Sequence, residues 1–350
     1  MHKRAYLDVI VSAVLFGLSA PLAKLLVRDI APVALAGLLY AGAFLGLSAY
    51  EIGRRRIGPG RGPAAGPLLK KDIPWLAGGI LTGGIGGPIC LLLGLARTSG
   101  TSASLLLNLE GVATALIAVL VFRENAGRRI WAALGLMTGA GVFLSWDPGR
   151  GRFEAAGSLL VLAAMVCWGL DNNFTRNIAD RNPIQIARIK GLISGAASLG
   201  LAALLGMRIP LQASLLAGLL LGAFSYGVSL VLYIRALAHL GAFRAGAFFS
   251  VTPFVGAIVS LAILPEPARW VLAPGAALMA FGVFLLVGED HEHRHRHDRI
   301  IHAHAHGHRD GHHGHDHEFA PAGPHSHEHE HEETDHVHAH MPDIHHRHEH

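Results

Sequence analysis

Apolar residues run along this chain in blocks of about 20, separated by short polar breaks, with no strict alternation inside the blocks. Ten such stretches can be read, at about 7–28, 32–52, 73–95, 101–122, 128–146, 157–178, 184–205, 212–236, 241–263 and 268–287. A helix needs roughly 20 mostly apolar residues to cross the hydrocarbon core, so each block is long enough to span it. Closed β-barrels are the other way through lipid, but barrel strands alternate in polarity and these blocks do not. The breaks carry turn signals, as in "RDIAP", "WDPGRGRFEAAG" and "DRNP", and the longest is "GRRRIGPGRGPAAGPLLKKD" at 53–72. "GGILTGGIGGP" at 78–88 falls inside a block. Its glycines allow close helix approach and bending, so a hinged third helix is expected.

The pattern repeats. "LFGLSAPLAKLL" (15–26) lies over "CWGLDNNFTRNI" (167–178), which sets Gly17 on Gly169 and Lys24 on Arg176. "LART" (95–98) lies over "LAHL" (237–240) at an offset of 142, and "GVFL" at 141–144 recurs at 282–285. Two copies of a five-helix unit in one chain must be inverted with respect to each other. Inverted repeats are a mark of secondary transporters, whose substrate site lies near the midplane between the halves. The fold expected is an all-α integral membrane protein with ten transmembrane helices in a 5+5 inverted repeat. Its units are residues 1–146, 147–288 and a tail, 289–350.

Composition sharpens this division. The chain is 51% hydrophobic and 15% charged, with mean hydropathy +0.39, against about 25% charged residues in soluble domains. Up to Gly288 there are 24 Lys and Arg against 11 Asp and Glu; from Glu289 onward there are 5 against 14. A basic membrane body thus carries an acidic tail. With the N-terminus in the cytoplasm, 14 loop cations fall inside and 7 outside. The positive-inside rule then sets the N-terminus and tail in the cytoplasm and the body in the inner membrane. Met1-His2-Lys3-Arg4 before the first apolar run reads as a retained span without an A-x-A cleavage site. Cys90 and Cys167 lie inside apolar runs, which argues against a structural disulfide.

"FGLSAPLAKLL", "CWGLDNNFTRN", "LARTSGTSASLLLNLEGVATALIAVLVFRE" and "ALAHLGAFRAGAFFSVTPFVGAIVSLAILPE" are the segments by which residues 7–287 resemble the EamA-type branch of the drug/metabolite transporter superfamily. The resemblance implies ten helices in a 5+5 inverted repeat, alternating access and a small-metabolite or drug substrate. Two features depart from the family pattern. Gly111 follows Glu110 where the family usually has Pro, and Asp171-Asn172-Asn173 is more polar than usual.

Ionisable groups inside a membrane are costly, so each is a functional candidate. Glu110 lies near the middle of the fourth apolar stretch, after Asn108. Burial makes such a carboxylate proton-switchable, suited to couple transport to protons; the alternative is a protonated side chain that fixes helix packing. Asp171 is expected to pair with Arg188 or Lys190 of the following helix, as a gate or as a static pair. Asn172 and Asn173 are candidates for substrate hydrogen bonds or for bonds between helices. Trp168 and Tyr226 would line a cavity or pack. Lys24 is expected to snorkel to the interface.

The tail holds 23 of the 25 histidines. It is too polar to build a core and is expected to be disordered. His-x-His runs set alternate positions of an extended chain on one face. The candidate metal ligands are His293, His295, His297, His302, His304, His306, His325, His327, His329, His331, His345, His346 and His348. Imidazole suits Zn, Ni, Co and Cu, and the sequence does not choose among them. No other cofactor is required, no catalytic constellation is found and the chain is not read as an enzyme. The expected partners are the lipid bilayer, a small-molecule solute, protons as coupling ion and transition-metal ions at the tail. A homodimer is compatible with the chain, and no nucleic acid is expected. The leading function is a proton-coupled secondary transporter of a small solute. Two other readings stand beside it: a divalent transition-metal transporter that uses the tail as buffer or sensor, and a metal-responsive membrane sensor or scaffold.

Overall fold

The computed structural model describes residues 2–57, 66–121, 128–147, 152–153, 155–178, 181–207, 213–236, 248–265 and 270–287 of the body. In the tail it describes 292–297, 300–306, 325–331 and 334–339. Two compact units result, Met1–Glu289 and Asp290–His350.

Each of the ten apolar stretches contains helix. The first is α1 (His2–Gly17) and α2 (Ser19–Leu26), broken at Leu18; the second is α3 (Pro32–Ile57). The third is α4 (Ile73–Gly79), a π-helical turn at Ile80–Gly86, and α5 (Gly87–Leu95). The fourth is α6 (Gly100–Leu106) and α7 (Leu109–Leu120), broken at Leu107 and Asn108. Then come α8 (Arg128–Ser145), α9 (Ala155–Arg176) and α10 (Pro183–Leu204). The eighth stretch is α11 (Ala213–Leu221), a π-helical turn at Gly222–Val228, and α12 (229–236). The last two are α13 (Thr252–Ile263) and α14 (Leu272–Val287). Among the described residues six helical stretches are long and apolar enough to cross a membrane, and three further apolar helices are shorter. A two-residue antiparallel pair, β1 (Trp146–Asp147) with β2 (Arg152–Phe153), joins the halves.

The third and eighth stretches are interrupted in register. Their π turns begin at Ile80 and Gly222, the same offset of 142 that aligns "LART" with "LAHL". The expected bend in the glycine run is therefore a π turn, and the second half carries its counterpart.

Packing between the halves follows the same exchange. α3 lies along α10, α6 along α13 and α8 along α14, each joining stretches five apart in order. The contacts of α9 with α5, the first π turn and α7 have their mates in those of α1 with the second π turn and α13. The contact of α3 with the second π turn is matched by that of α10 with the first.

These crossings are close because small residues sit in them. A methyl added at Gly42 would lie 2.8 Å from the backbone carbonyl carbon of Leu219 and 2.9 Å from its Cα. Backbone cannot yield as a side-chain tip can, so Gly42→Ala is expected to destabilise the body by about 1–3 kcal/mol. A thermal unfolding curve of the detergent-purified protein checks this; an unchanged midpoint would contradict the α3–α11 crossing.

The tail was expected to lack fixed structure, and its described stretches instead pair as strands. β3 (Glu292–His297) is antiparallel to β6 (Thr334–Ala339), and β4 (Ile300–His306) to β5 (His325–His331). The period-2 His-x-His pattern suits a pleated strand as well as a loose chain. His345, His346 and His348 lie outside the described residues.

Candidate functional site: a buried polar centre

The polar centre forms where α9 crosses the interrupted third stretch. Asp171, Asn172 and Asn173 are consecutive on α9, so they point about 100° apart and reach different neighbours.

Asp171 faces the glycine run and α10. Its carboxylate lies against Gly79 and Gly83, where any larger side chain would overlap it. Lys190 Nζ donates to Asp171 Oδ2 in a buried ion pair, and Thr175 Oγ1 donates to Oδ1 at 3.0 Å. Of the two partners expected for Asp171, Lys190 is the one the structure brings there. Arg188 is two residues earlier on α10 and so points about 200° away. It pairs with Glu51 of α3, donates from Nε to Ser48 Oγ at 3.2 Å, and its guanidinium carbon lies 6.0 Å from the Phe44 ring centroid.

Asn172 faces α7. Its Nδ2 donates to Glu110 Oε1 at 2.8 Å and to Thr114 Oγ1 at 3.2 Å; Thr114 Oγ1 donates to the Glu110 carbonyl at 2.8 Å. Glu110 sits in the first turn of α7 because the helix breaks at Leu107 and Asn108. A carboxylate there gains from the positive end of the helix dipole. Asn108 is buried at the break, and its Nδ2 has no hydrogen-bond partner among the described residues. Asn173 is spent on structure: Nδ2 donates to the carbonyls of Gly169 at 2.8 Å and Thr114 at 3.2 Å.

Aromatic rings close the centre between the halves. Tyr40 Oη and Trp168 Nε1 both donate to the Gly83 carbonyl, at 2.8 and 3.0 Å. That carbonyl belongs to the π turn, and such turns often mark functional sites because they disturb the regular ladder. Phe16 touches Trp168 and Tyr226 edge to face at centroid distances of 5.8 and 5.7 Å, and Tyr40 meets Tyr226 at 5.4 Å. Trp168 and Tyr226 are both buried among these rings.

Lys24 does not snorkel. Its Nζ donates to the carbonyls of Leu95 and Thr98, the latter at 2.7 Å, at the end of α5. Helix C-termini leave carbonyls without partners inside the helix, and a lysine nearby satisfies them.

Among Glu110, Asp171 and Lys190, the lysine balances one carboxylate, and the other accepts from the neutral amide of Asn172. With all three ionised the group carries one net negative charge. Such a centre can take up a proton or a cationic group. Tyr40, Thr114 and Glu51 were not singled out from the sequence, and Gly83 only as part of the glycine run at 78–88. Only Thr114, one helical turn after Glu110, was within reach of a spacing argument.

Comparisons with known proteins agree with this architecture. A protein of Methanothermobacter thermautotrophicus described as an uncharacterized transporter is 28% identical over 296 residues, 80% of this chain and 85% of that one. A crystal structure at 18% identity covers 80% of this chain and 94% of its own, with a TM-score of 0.59, and so shares the fold. The EamA-like transporter family matches residues 3–146 and again 155–288. This chain belongs to the EamA-like transporter family, and it is a multi-pass membrane protein of the drug/metabolite transporter superfamily.

Proposed function

We propose that this chain is a secondary transporter that moves a small solute by alternating access, with Glu110 carrying the coupling proton. The observation behind this reading is the Asp171–Lys190 pair and the neighbouring Glu110–Asn172 contact, buried where α9 and α10 of the second half meet the interrupted third and fourth stretches of the first. Each half makes five crossings, an odd number, so the second half is inverted and the ten spans return the chain to its starting side. The N-terminus and the tail then share the cytoplasmic side of the inner membrane. Lys190 holds Asp171 while the centre is closed. Glu110 exchanges its proton when the centre opens to either side.

The test is solute uptake into proteoliposomes over a pH series, with the wild-type chain and Glu110→Gln. Glutamine keeps the size and an acceptor for Asn172 but has no titrating proton. The variant should lose the pH dependence of uptake; uptake with the wild-type pH profile would remove Glu110 from the coupling step.

A second reading, transition-metal transport with the tail as buffer, draws on strand register. His302, His304 and His306 stand opposite His329, His327 and His325, and His293 and His295 opposite His338 and His336. Imidazole nitrogens are ligands suited to Zn, Ni, Co or Cu. Removal of 289–350 should then change cellular metal accumulation and tolerance. If neither changes while solute uptake persists, the metal is not the cargo.

A further inference from the structure

Two neighbouring cavities lie at the end of the bundle where α3 finishes and α10 begins. The first, about 270 Å³, is lined by Glu51, Arg54, Asn182, Ile184, Gln185 and Arg188. The second, about 260 Å³, is lined by Phe44, Gln185, Arg188, Ile189 and Leu192. Gln185 and Arg188 belong to both. The candidate span Pro32–Arg54 ends here and Pro183–Leu204 begins here, the level at which such spans would leave hydrocarbon for water.

The first cavity is rich in donors. Its single carboxylate, Glu51, is already engaged by Arg188. Asn182 Oδ1 accepts from the backbone of Ile184 at 3.0 Å and Gln185 at 3.3 Å. Gln185 Oε1 accepts from the backbone of Leu68 at 3.2 Å. Asn182 Oδ1 already accepts two bonds and Gln185 Oε1 one, and both amides have NH₂ groups to donate to a ligand. Arg54 and Arg188 against the one carboxylate of Glu51 leave a net positive charge, which with two amide NH₂ groups makes a receptor for an anion. The second cavity is different: Phe44, Ile189 and Leu192 give it an apolar wall, and Leu192 is 49% exposed on the face turned from the bundle.

We propose that the two cavities together bind an anionic phospholipid, its phosphate in the first and the start of an acyl chain along the second. Basic pockets between spans at the headgroup level are suited to such lipids. The adjacency of a donor-rich and an apolar cavity favours a lipid over a soluble phosphate ester, which has no use for the second. This site is separate from the Asp171–Lys190 centre and does not depend on the transport reading.

The experiment is a thermal-shift series on the purified full chain in neutral detergent, with added phosphatidylglycerol, phosphatidylcholine or glycerol 3-phosphate. Phosphatidylglycerol at about ten times its Kd should raise Tm by about 3 °C more than phosphatidylcholine does. Arg54→Gln and Leu192→Asn should each lose at least half of that increment while keeping the wild-type Tm without lipid. Arg188 is left intact because its loss also breaks the Glu51 pair. Equal shifts from the two lipids, or full increments in both variants, overturn the proposal. An equal shift from glycerol 3-phosphate would assign the site to a soluble phosphate ester and also overturn it. If a variant loses Tm in the absence of lipid, bound phosphatidylglycerol is counted by native mass spectrometry. Loss of the bound lipid relative to wild type supports the site, and unchanged occupancy refutes it.

Discussion

Replacing Lys190 with Met is expected to destabilise the body by about 3–5 kcal/mol, because it leaves the Asp171 carboxylate buried without its cation. The pair is enclosed on both sides: Lys190 is 5% exposed and Asp171 9%. Thr175 supplies one hydrogen bond to the carboxylate, and glycines supply none from their side of the contact. Removing both charges together is a different matter. The Asp171→Asn, Lys190→Met double variant should recover most of the loss, since no uncompensated charge remains. Equilibrium unfolding of the two single variants and the double in detergent completes the cycle. A Lys190→Met protein as stable as wild type, or a double variant no better than the single, would show that the pair is not buried as described. Stability and transport should also part company here. The double variant folds yet lacks the charge pair that we propose opens and closes during transport.

The second large effect is expected at Gly83. A methyl there would overlap the Asp171 carboxylate and its Cβ. Asp171 cannot retreat without losing Lys190, and the backbone of the π turn cannot move without releasing the Tyr40 and Trp168 bonds to the Gly83 carbonyl. Gly83→Ala should therefore cost about 3 kcal/mol or more, combining overpacking with a displaced ion pair. Gly135→Ala is the matched control. Among the described residues nothing lies within 4 Å of a methyl added at Gly135, in the interior of α8. Alanine there should be neutral or stabilising by up to about 1 kcal/mol. Thermal midpoints of the two variants, measured side by side, check the difference. Equal midpoints would contradict the close approach of α9 to the glycine run.

These effects turn on what could and could not be read from residue order. Among the described residues, helix is found in each of the hydrophobic blocks, because burial in lipid demands length and continuity that leave a plain trace in sequence. The weak internal similarity also carried real information: its offset of 142 reappears as the spacing of two π turns. Within the site, the pattern marked Glu110, Asp171, Asn172 and Lys190, since a charge or amide inside an apolar block is conspicuous. It did not say which neighbour each would meet. Arg188 and Lys190 lie at similar depth, and only the rotation of α10 about its axis sends one to Asp171 and the other to Glu51. Asn173 looks like Asn172 on paper, yet one residue of helical turn directs it to backbone carbonyls. Tyr40 and Phe16 are ordinary apolar-stretch aromatics until the halves come together. Lys24 near a helix end resembles any snorkelling lysine, and its use as a cap on α5 depends on a helix more than 70 residues away.

Alternating access around the polar centre can be measured without knowing the solute. Thr114 bonds both Asn172 and the Glu110 backbone, and cysteine is close to it in size. With Cys90 and Cys167 replaced by alanine, Thr114→Cys should react with a membrane-impermeant maleimide in right-side-out vesicles and also in inside-out vesicles. A cysteine at that position that is reached from one side only, or from neither, would contradict a transporter whose centre opens in turn to the two faces of the membrane.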